Sequence, residues 1–241
     1  MLYTVQSQRA VAPGVHHLRL AGDTRGITRP GQFVQIRLPG FYLRRPISVC
    51  DWQSGERGTL DLIYKVVGHG TEAMTTLAPG TELDVLPGLG NGFDVDACPA
   101  GALLVGGGVG TPPLYGLCKA LKRQGKAPRV VLGFNTAREI FWQNEFEALG
   151  VSVTVTTVDG SAGTRGFVIA AMGECEPYVC ACGPGPMLRA VYGACERGQF
   201  SLEERMACGF GVCMGCSIQT ASGPKRVCKD GPVFGREALL W

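Results

Sequence analysis

As far as about residue 98, apolar and polar positions alternate with a period close to two. That period sends successive side chains to opposite faces of a strand. Val34, Ile36 and Leu38 alternate with Gln35 and Arg37, which predicts a strand with one buried face, entered through Pro30-Gly31. Thr59 to Val67 predicts a second strand rich in β-branched and aromatic residues, and Glu82 to Leu86 a third, bounded by Pro79-Gly80 and Pro87-Gly88. Short strands punctuated by Gly and Pro suit a small antiparallel barrel.

From Ala102 the pattern changes. The apolar run Ala102-Leu103-Leu104-Val105 leads into Gly106-Gly107-Gly108-Val109-Gly110-Thr111-Pro112-Pro113, and a helix follows with Leu114, Leu117, Cys118 and Leu121 on one face. Proline in a first helical turn is well placed, because its missing N–H has no partner there to lose. Further strands are predicted at Arg129–Phe134, Val151–Val158 and Tyr178–Cys182, with a helix over Glu139–Leu149. A last helix, after Gly183-Pro184-Gly185-Pro186, is predicted to bury Met187, Val191, Ala194 and Cys195. Strands alternating with helices imply a parallel sheet, whose ligands bind beyond the carboxyl ends of the strands.

The 241 residues suit two domains plus a small module, an α+β multidomain chain. The expected division is a barrel over 1–98, an α/β parallel-sheet unit over 99–200 and a C-terminal module over 201–241. Apolar residues make up 45 % of the chain, enough for substantial cores. The net charge of +3 comes from scattered residues, so neither nucleic acid nor an anionic membrane is expected as a partner. No stretch approaches the ~18 apolar residues of a membrane-spanning helix, and the N-terminal residues lack an apolar signal core. Seven of the eleven cysteines lie outside the C-terminal motif and are expected to be reduced and mostly buried, in a cytoplasmic protein.

Four stretches carry candidate chemistry. Leu43-Arg44-Arg45-Pro46-Ile47-Ser48 presents a cation, a stiff turn and a hydroxyl along one strand. A forked Arg suits a pyrophosphate, and a Ser can reach a flavin ring nitrogen; taken alone, the motif equally fits an exposed basic pair beside an edge-strand proline. Downstream, Ile63-Tyr64-Lys65 precedes Gly68-His69-Gly70-Thr71. There Tyr64 can stack on a ring or a ribose, and Gly70 and Thr71 offer backbone donors to phosphate at a helix start, with His69 a loop residue. The glycine loop has the form G-x-G-x-x-P from Gly108 to Pro113, so Gly108 and Gly110 are candidates for a dinucleotide pyrophosphate, although a plain tight turn has the same composition. Cys182 and Gly183 end a strand where a nicotinamide can approach; a buried small residue is the commoner fate of a strand cysteine.

The most specific signal is Cys208-Gly-Phe-Gly-Val-Cys213-Met-Gly-Cys216, followed by Cys228. This is C-x4-C-x2-C with a distant fourth Cys, the plant-type spacing for a [2Fe–2S] cluster. Gly209, Gly211 and Gly215 can take positive φ and let the loop curl around its thiols. Structural zinc favours ligand pairs on separate knuckles, and only Cys213 with Cys216 has that spacing. A zinc site and inert core thiols remain the competing readings.

Together these parts resemble the ferredoxin–NADP reductase superfamily, and within it the electron-transfer subunits of NAD-dependent (B-type) dihydroorotate dehydrogenase. The resemblance covers nearly the whole chain. It rests most on Leu43–Ser48, Gly90-Asn91-Gly92-Phe93, Gly106–Gly110 with Pro112-Pro113-Leu114, Glu204–Gly209 and Val227–Phe234. It implies FAD contacts at Arg45, Pro46, Ile47, Ser48, Ile63, Tyr64, Lys65, Gly70 and Thr71, and cluster ligation by Cys208, Cys213, Cys216 and Cys228. It also implies a partner subunit holding FMN that oxidises dihydroorotate in pyrimidine biosynthesis, two copies of each chain forming a heterotetramer, and electron flow through the cluster and FAD to NAD. No acid–base constellation is expected in such a subunit, because the cofactors carry the chemistry. Related subunits serve NAD(P)H-dependent ferredoxin reductases or hydrogenases, in which a carboxylate can replace one cluster cysteine; this chain has all four thiols. A zinc-stapled nucleotide-binding module without enzymatic activity is the alternative of another class.

Overall fold

A computed structural model describes residues 1–241. Six antiparallel strands close a barrel: β1 (Leu2–Ala12), β2 (Val15–Gly22), β3 (Phe33–Ile36), β4 (Arg45–Gln53), β5 (Gly58–Lys65) and β6 (Glu82–Leu89). Their order around the barrel is β1-β2-β5-β4-β3-β6, and closure leaves no sheet edge exposed. Val34 and Ile36 point inward to join Leu18, Leu60, Leu62 and Val85 in a dry interior. Phe33 points the other way, into a core shared with the C-terminal segment. Gln35, two residues on, shares that outward face. It was expected to meet solvent and is instead fully buried.

The central unit is a seven-stranded sheet with helices packed against it. Its strands are β7 (Leu103–Gly107), β8 (Arg129–Phe134), β9 (Val153–Thr157), β10 (Thr164–Arg165), β11 (Glu176–Cys182) and β12 (Cys195–Ser201), all parallel. The C-terminal segment forms the hairpin β13 (Ser217–Thr220) and β14 (Gly223–Arg226), then returns as β15 (Val233–Gly235), which adds antiparallel to β12. The spatial order β10-β9-β8-β7-β11-β12-β15 runs outward from β7 in one direction and then jumps back beside it. The gap between the ends of β7 and β11 is therefore the topological switch point, where open α/β sheets bind their ligands.

Four short helices complete the chain: α1 (His69–Met74), α2 (Thr111–Arg123), α3 (Gln143–Glu147) and α4 (Gly185–Gly193). On α2 the expected apolar face is fully buried, with Leu114, Leu117, Cys118 and Leu121 packed in the core between sheet and barrel. Three expectations are corrected here. The helix predicted over Glu139–Leu149 is broken into a 3-10 turn at Ala137–Glu139 and the short α3, with left-handed Trp142 (φ 65°) between them. Trp142 is held there by edge contacts to His17 and Tyr115, a tertiary demand that overrides helical continuity. Cys195 is not on α4 but begins β12, while Leu188 and Val191 supply the buried face of α4. His69 is likewise the first residue of α1 rather than part of a loop.

Candidate functional site

At the mouth of the barrel the two adjacent arginines have different neighbours. Arg44 is tied to Asp84 on β6, with Nη2 donating to the carboxylate at 2.5 Å and Nη1 to the main-chain oxygen at 2.9 Å. Arg45 has no such partner. Its guanidinium lies over the Phe41 ring at 5.1 Å, and its buried Nε–H donates to nothing in the chain. It abuts Gly70, where a β-carbon would overlap the guanidinium. The first backbone N–H groups of α1 have no intrahelical acceptor, so a cation and free amides converge on one spot. An orphaned buried donor beside a glycine cradle fits the pyrophosphate of FAD. The Thr71 hydroxyl accepts from the N–H groups of Val67 and Gly68 at 2.9 and 3.2 Å and closes that turn.

A second cavity, of about 550 Å³, opens between barrel and sheet at the switch point. Gly108, Gly110 and Gly183 line it from the sheet side and Lys65 from the barrel. The two glycine loops are pressed together. A side chain at Gly110 would strike the Cys182 carbonyl, and one at Gly107 would meet Met187 Sδ at 2.5 Å. Thr111 and Thr156 carry buried hydroxyls without partners near this floor. Size, glycine backbone and unspent donors fit a dinucleotide. Glu139 also lines the cavity and accepts from Asn135 Nδ2 at 2.9 Å. Glu203 opens on the same space, and shielding by the surrounding chain raises its carboxyl.

The cysteine loop lies at the surface beside β3. Its thiols stand as two pairs, Cys208 with Cys213 and Cys216 with Cys228, rather than as three or more ligands closed on a single ion. Cys208 Sγ accepts from the N–H groups of Val212 and Cys213 at 3.3 and 3.5 Å, and Cys216 Sγ from that of Cys228 at 3.4 Å. Burial acts to raise the Cys208 thiol, but the surrounding N–H groups outweigh it and bring it down to about 6. Burial and the neighbouring Cys216 push Cys228 up to about 12. Four thiols, with amides already aimed at sulfur, fit a thiolate-held cluster. Gly209 and Gly211 take the expected positive φ (78° and 91°), whereas the third left-handed residue is Met214 (φ 61°) and not Gly215.

Two clamps fix this loop. Arg226 Nη1 donates to the Gly211 oxygen at 2.9 Å while its Nε holds Asp230 at 3.0 Å. Asn91 Nδ2 donates to the oxygens of Lys229 and Asp230, both at 3.2 Å, so Gly90-Asn91-Gly92-Phe93 ties the barrel to the segment after Cys228.

Comparison with known proteins agrees with this geometry. Residues 203–240 match the family model described as the iron–sulfur cluster binding domain of dihydroorotate dehydrogenase B. The electron transfer subunit of dihydroorotate dehydrogenase B (NAD(+)) from Bacillus caldolyticus is 43 % identical over 248 residues, covering 96 % of this chain and 95 % of that protein. The corresponding subunit from Fusobacterium nucleatum subsp. nucleatum is 39 % identical over 247 residues, covering 96 % and 95 %. The chain belongs to this family. Among solved structures, that of the NADH-dependent reduced ferredoxin–NADP oxidoreductase superposes with a TM-score of 0.89 at 32 % identity, covering all of this chain and 90 % of that one. Phthalate dioxygenase reductase shares the fold, with a TM-score of 0.67 at 15 % identity over 92 % of this chain and 87 % of that one.

The structure gathers the expected residues unevenly. Arg45 and Gly70 touch; Lys65, Gly108, Gly110 and Gly183 share the large cavity; the four cluster cysteines share one loop region. Pro46 and Ser48 are half-buried on β4. Ile47 is buried in the barrel interior, and Ile63 in the core between barrel and sheet. Tyr64 is packed in the barrel, stacked on His16 at 5.6 Å, with its hydroxyl on Gln8 Oε1 at 3.3 Å. On β5 it shares the inward face with Leu60 and Leu62, in the barrel interior. Cys182 is fully buried beneath the cavity rather than lining it, and burial pushes its thiol up to about 12. Glu203 and the clamp residue Arg226 were not singled out by sequence, because spacing along the chain carries no sign of the neighbours that give them their places.

Proposed function

We propose that this chain is the oxidoreductase subunit that carries electrons between a dihydroorotate-oxidising partner and NAD in pyrimidine biosynthesis. The observation that carries the reading is the alignment of three sites in one molecule: an anion seat at Arg45 and Gly70, a dinucleotide cavity at the β7–β11 switch point, and a paired-thiol loop beside β3. When bound, FAD converts between the hydride of NAD and the single electrons of a [2Fe–2S] cluster. The protein's part is to hold and orient. Arg45 and the start of α1 grip the diphosphate. Gly108, Gly110 and Gly183 let a dinucleotide approach the backbone closely. Cys208, Cys213, Cys216 and Cys228 hold the cluster.

The partner we infer is an FMN-containing catalytic subunit, in a heterotetramer of two copies of each chain, working in the cytoplasm. No helix is long and apolar enough to cross a membrane. We divide the chain at 1–98, 99–200 and 201–241 for FAD, NAD and cluster binding. Phe210, Val212 and Met214 stand around the exposed Cys213 and are themselves 52, 74 and 51 % exposed. An apolar surface around redox ligands supports docking of the partner there.

Likeness to the ferredoxin–NADP oxidoreductase favours one second reading, an NADH-linked ferredoxin reductase subunit. One experiment separates the two. The purified chain is expected to oxidise NADH with an artificial acceptor and not to turn over dihydroorotate, and adding the FMN subunit is expected to produce dihydroorotate-dependent NAD reduction. Turnover of dihydroorotate by this chain alone, or ferredoxin reduction with no response to the FMN subunit, would overturn the assignment.

A further inference from the structure

Gln35 is an anomaly on β3. It is fully buried, and neither its amide nitrogen nor its amide oxygen has a hydrogen-bond partner. Leaving a buried amide atom unpaired is unfavourable, because its hydration is lost with nothing in return. An apolar side chain would fill the same seam without that cost. The residue's direction is set by the pleat: Val34 and Ile36 face the barrel interior, so Gln35 and Phe33 face the C-terminal module.

There the side chain meets the cluster loop. A β-carbon on Gly209 would overlap Gln35 Nε2 and stand 2.8 Å from its Cγ, so the glycine at φ 78° is what admits the amide. Gly209 follows Cys208, whose sulfur already accepts from two backbone N–H groups of the loop itself. Gln35 approaches from the barrel side instead. In register it lies opposite Pro46 of β4 and Leu86 of β6, which puts it beside the strand proposed to seat the flavin.

We propose that Gln35 is a positioning residue of the cluster, its amide N–H donating a hydrogen bond to anionic sulfur held by the Cys208 end of the loop. A donor directed at sulfur stabilises the added negative charge of the one-electron-reduced cluster and raises its reduction potential. The amide turns its NH2 rather than its oxygen toward sulfur, because only the former is a donor. Gln35 thereby links the FAD-binding barrel to the cluster electronically as well as by packing.

This inference rests on the four-thiol assignment, and the two fail differently: without those ligands the wild type lacks the iron–sulfur spectrum altogether. The test is an EPR-monitored redox titration of the purified holoprotein as wild type, Gln35→Met and Gln35→Glu. Met keeps the volume and removes the donor; Glu keeps the shape and replaces the donor with a charge. The expected result is a cluster potential shifted negative in both variants, further in Glu, with the FAD potential unmoved. Deuterium modulation of the reduced-cluster EPR signal after exchange into D2O should also weaken in Gln35→Met. A cluster potential unchanged in either variant, or a shift confined to the flavin, overturns the proposal.

Discussion

Arg45 and Gly70 meet across the mouth of the barrel so closely that a methyl group on Gly70 would displace the guanidinium, whose buried Nε–H has no partner in the chain. The glycine is there to let the cation reach the helix start. Arg45→Ala is therefore expected to weaken FAD binding by about 3–5 kcal/mol, since it leaves a diphosphate without its buried cation. Gly70→Ala is expected to weaken it by roughly tenfold through displacement of Arg45. Flavin release on dilution, followed by fluorescence, measures both; full retention of FAD in Arg45→Ala would place the diphosphate elsewhere.

Cys213→Ser should bleach the iron–sulfur absorbance and leave FAD bound. Cys213 is the exposed thiol of the loop, whereas Arg45 and Gly70 sit at the barrel mouth. NADH–dye reduction should persist while electron entry from the partner subunit fails. Normal colour with both activities intact would remove Cys213 from the ligand set.

Glu139 places a carboxylate in the dinucleotide cavity, held by Asn135. A carboxylate at this strand end suits a ribose 2′-hydroxyl and repels a 2′-phosphate. Glu139→Gln is expected to reduce the preference for NADH over NADPH by about tenfold, equivalent to ~1.4 kcal/mol of lost discrimination. The ratio of kcat/KM values for the two nucleotides with a dye acceptor decides it, and an unchanged ratio would remove Glu139 from nucleotide selection.

Asp61 is buried against His17 Nε2 at 2.6 Å and Arg19 Nε at 2.8 Å. Burial acts to raise its carboxyl, but the hydrogen bonds from His17 and Arg19 outweigh this and lower it below the ordinary value of 3.8. A carboxyl lowered on folding contributes stability that is fully present above the unfolded pKa and is lost as pH falls through the folded one. Thermal stability should therefore fall on acidification below about pH 4, near the unfolded value. Asp61→Asn should flatten that acid limb and cost about 2 kcal/mol at neutral pH, measured by urea unfolding. A limb of the same slope in Asp61→Asn would assign the acid sensitivity to other carboxylates.

How much of this was legible beforehand follows from the range over which each constraint acts. Periodicity is local, and it placed three of the six barrel strands (β3, β5 and β6), the buried face of α2 and the alternation that demands a parallel sheet. Ligand spacing in the cluster motif is also local, since three of the four thiols must curl around one centre within nine residues, Cys208 to Cys216. Those features were set by the sequence itself.

Contacts between distant segments decided the rest. Alternation marked Gln35 as a solvent-facing residue, and only the packing of the C-terminal module over β3 buries it against Gly209. Trp142 breaks a helix that its own neighbours favour, because His17 and Tyr115 hold its ring from other elements. Glu203 reaches the dinucleotide cavity because the chain leaving β12 passes that opening. A polar residue's pattern along the chain tells which way it points from its own element. What it meets there depends on which segment the folded chain lays across that face, and neither period nor spacing encodes that.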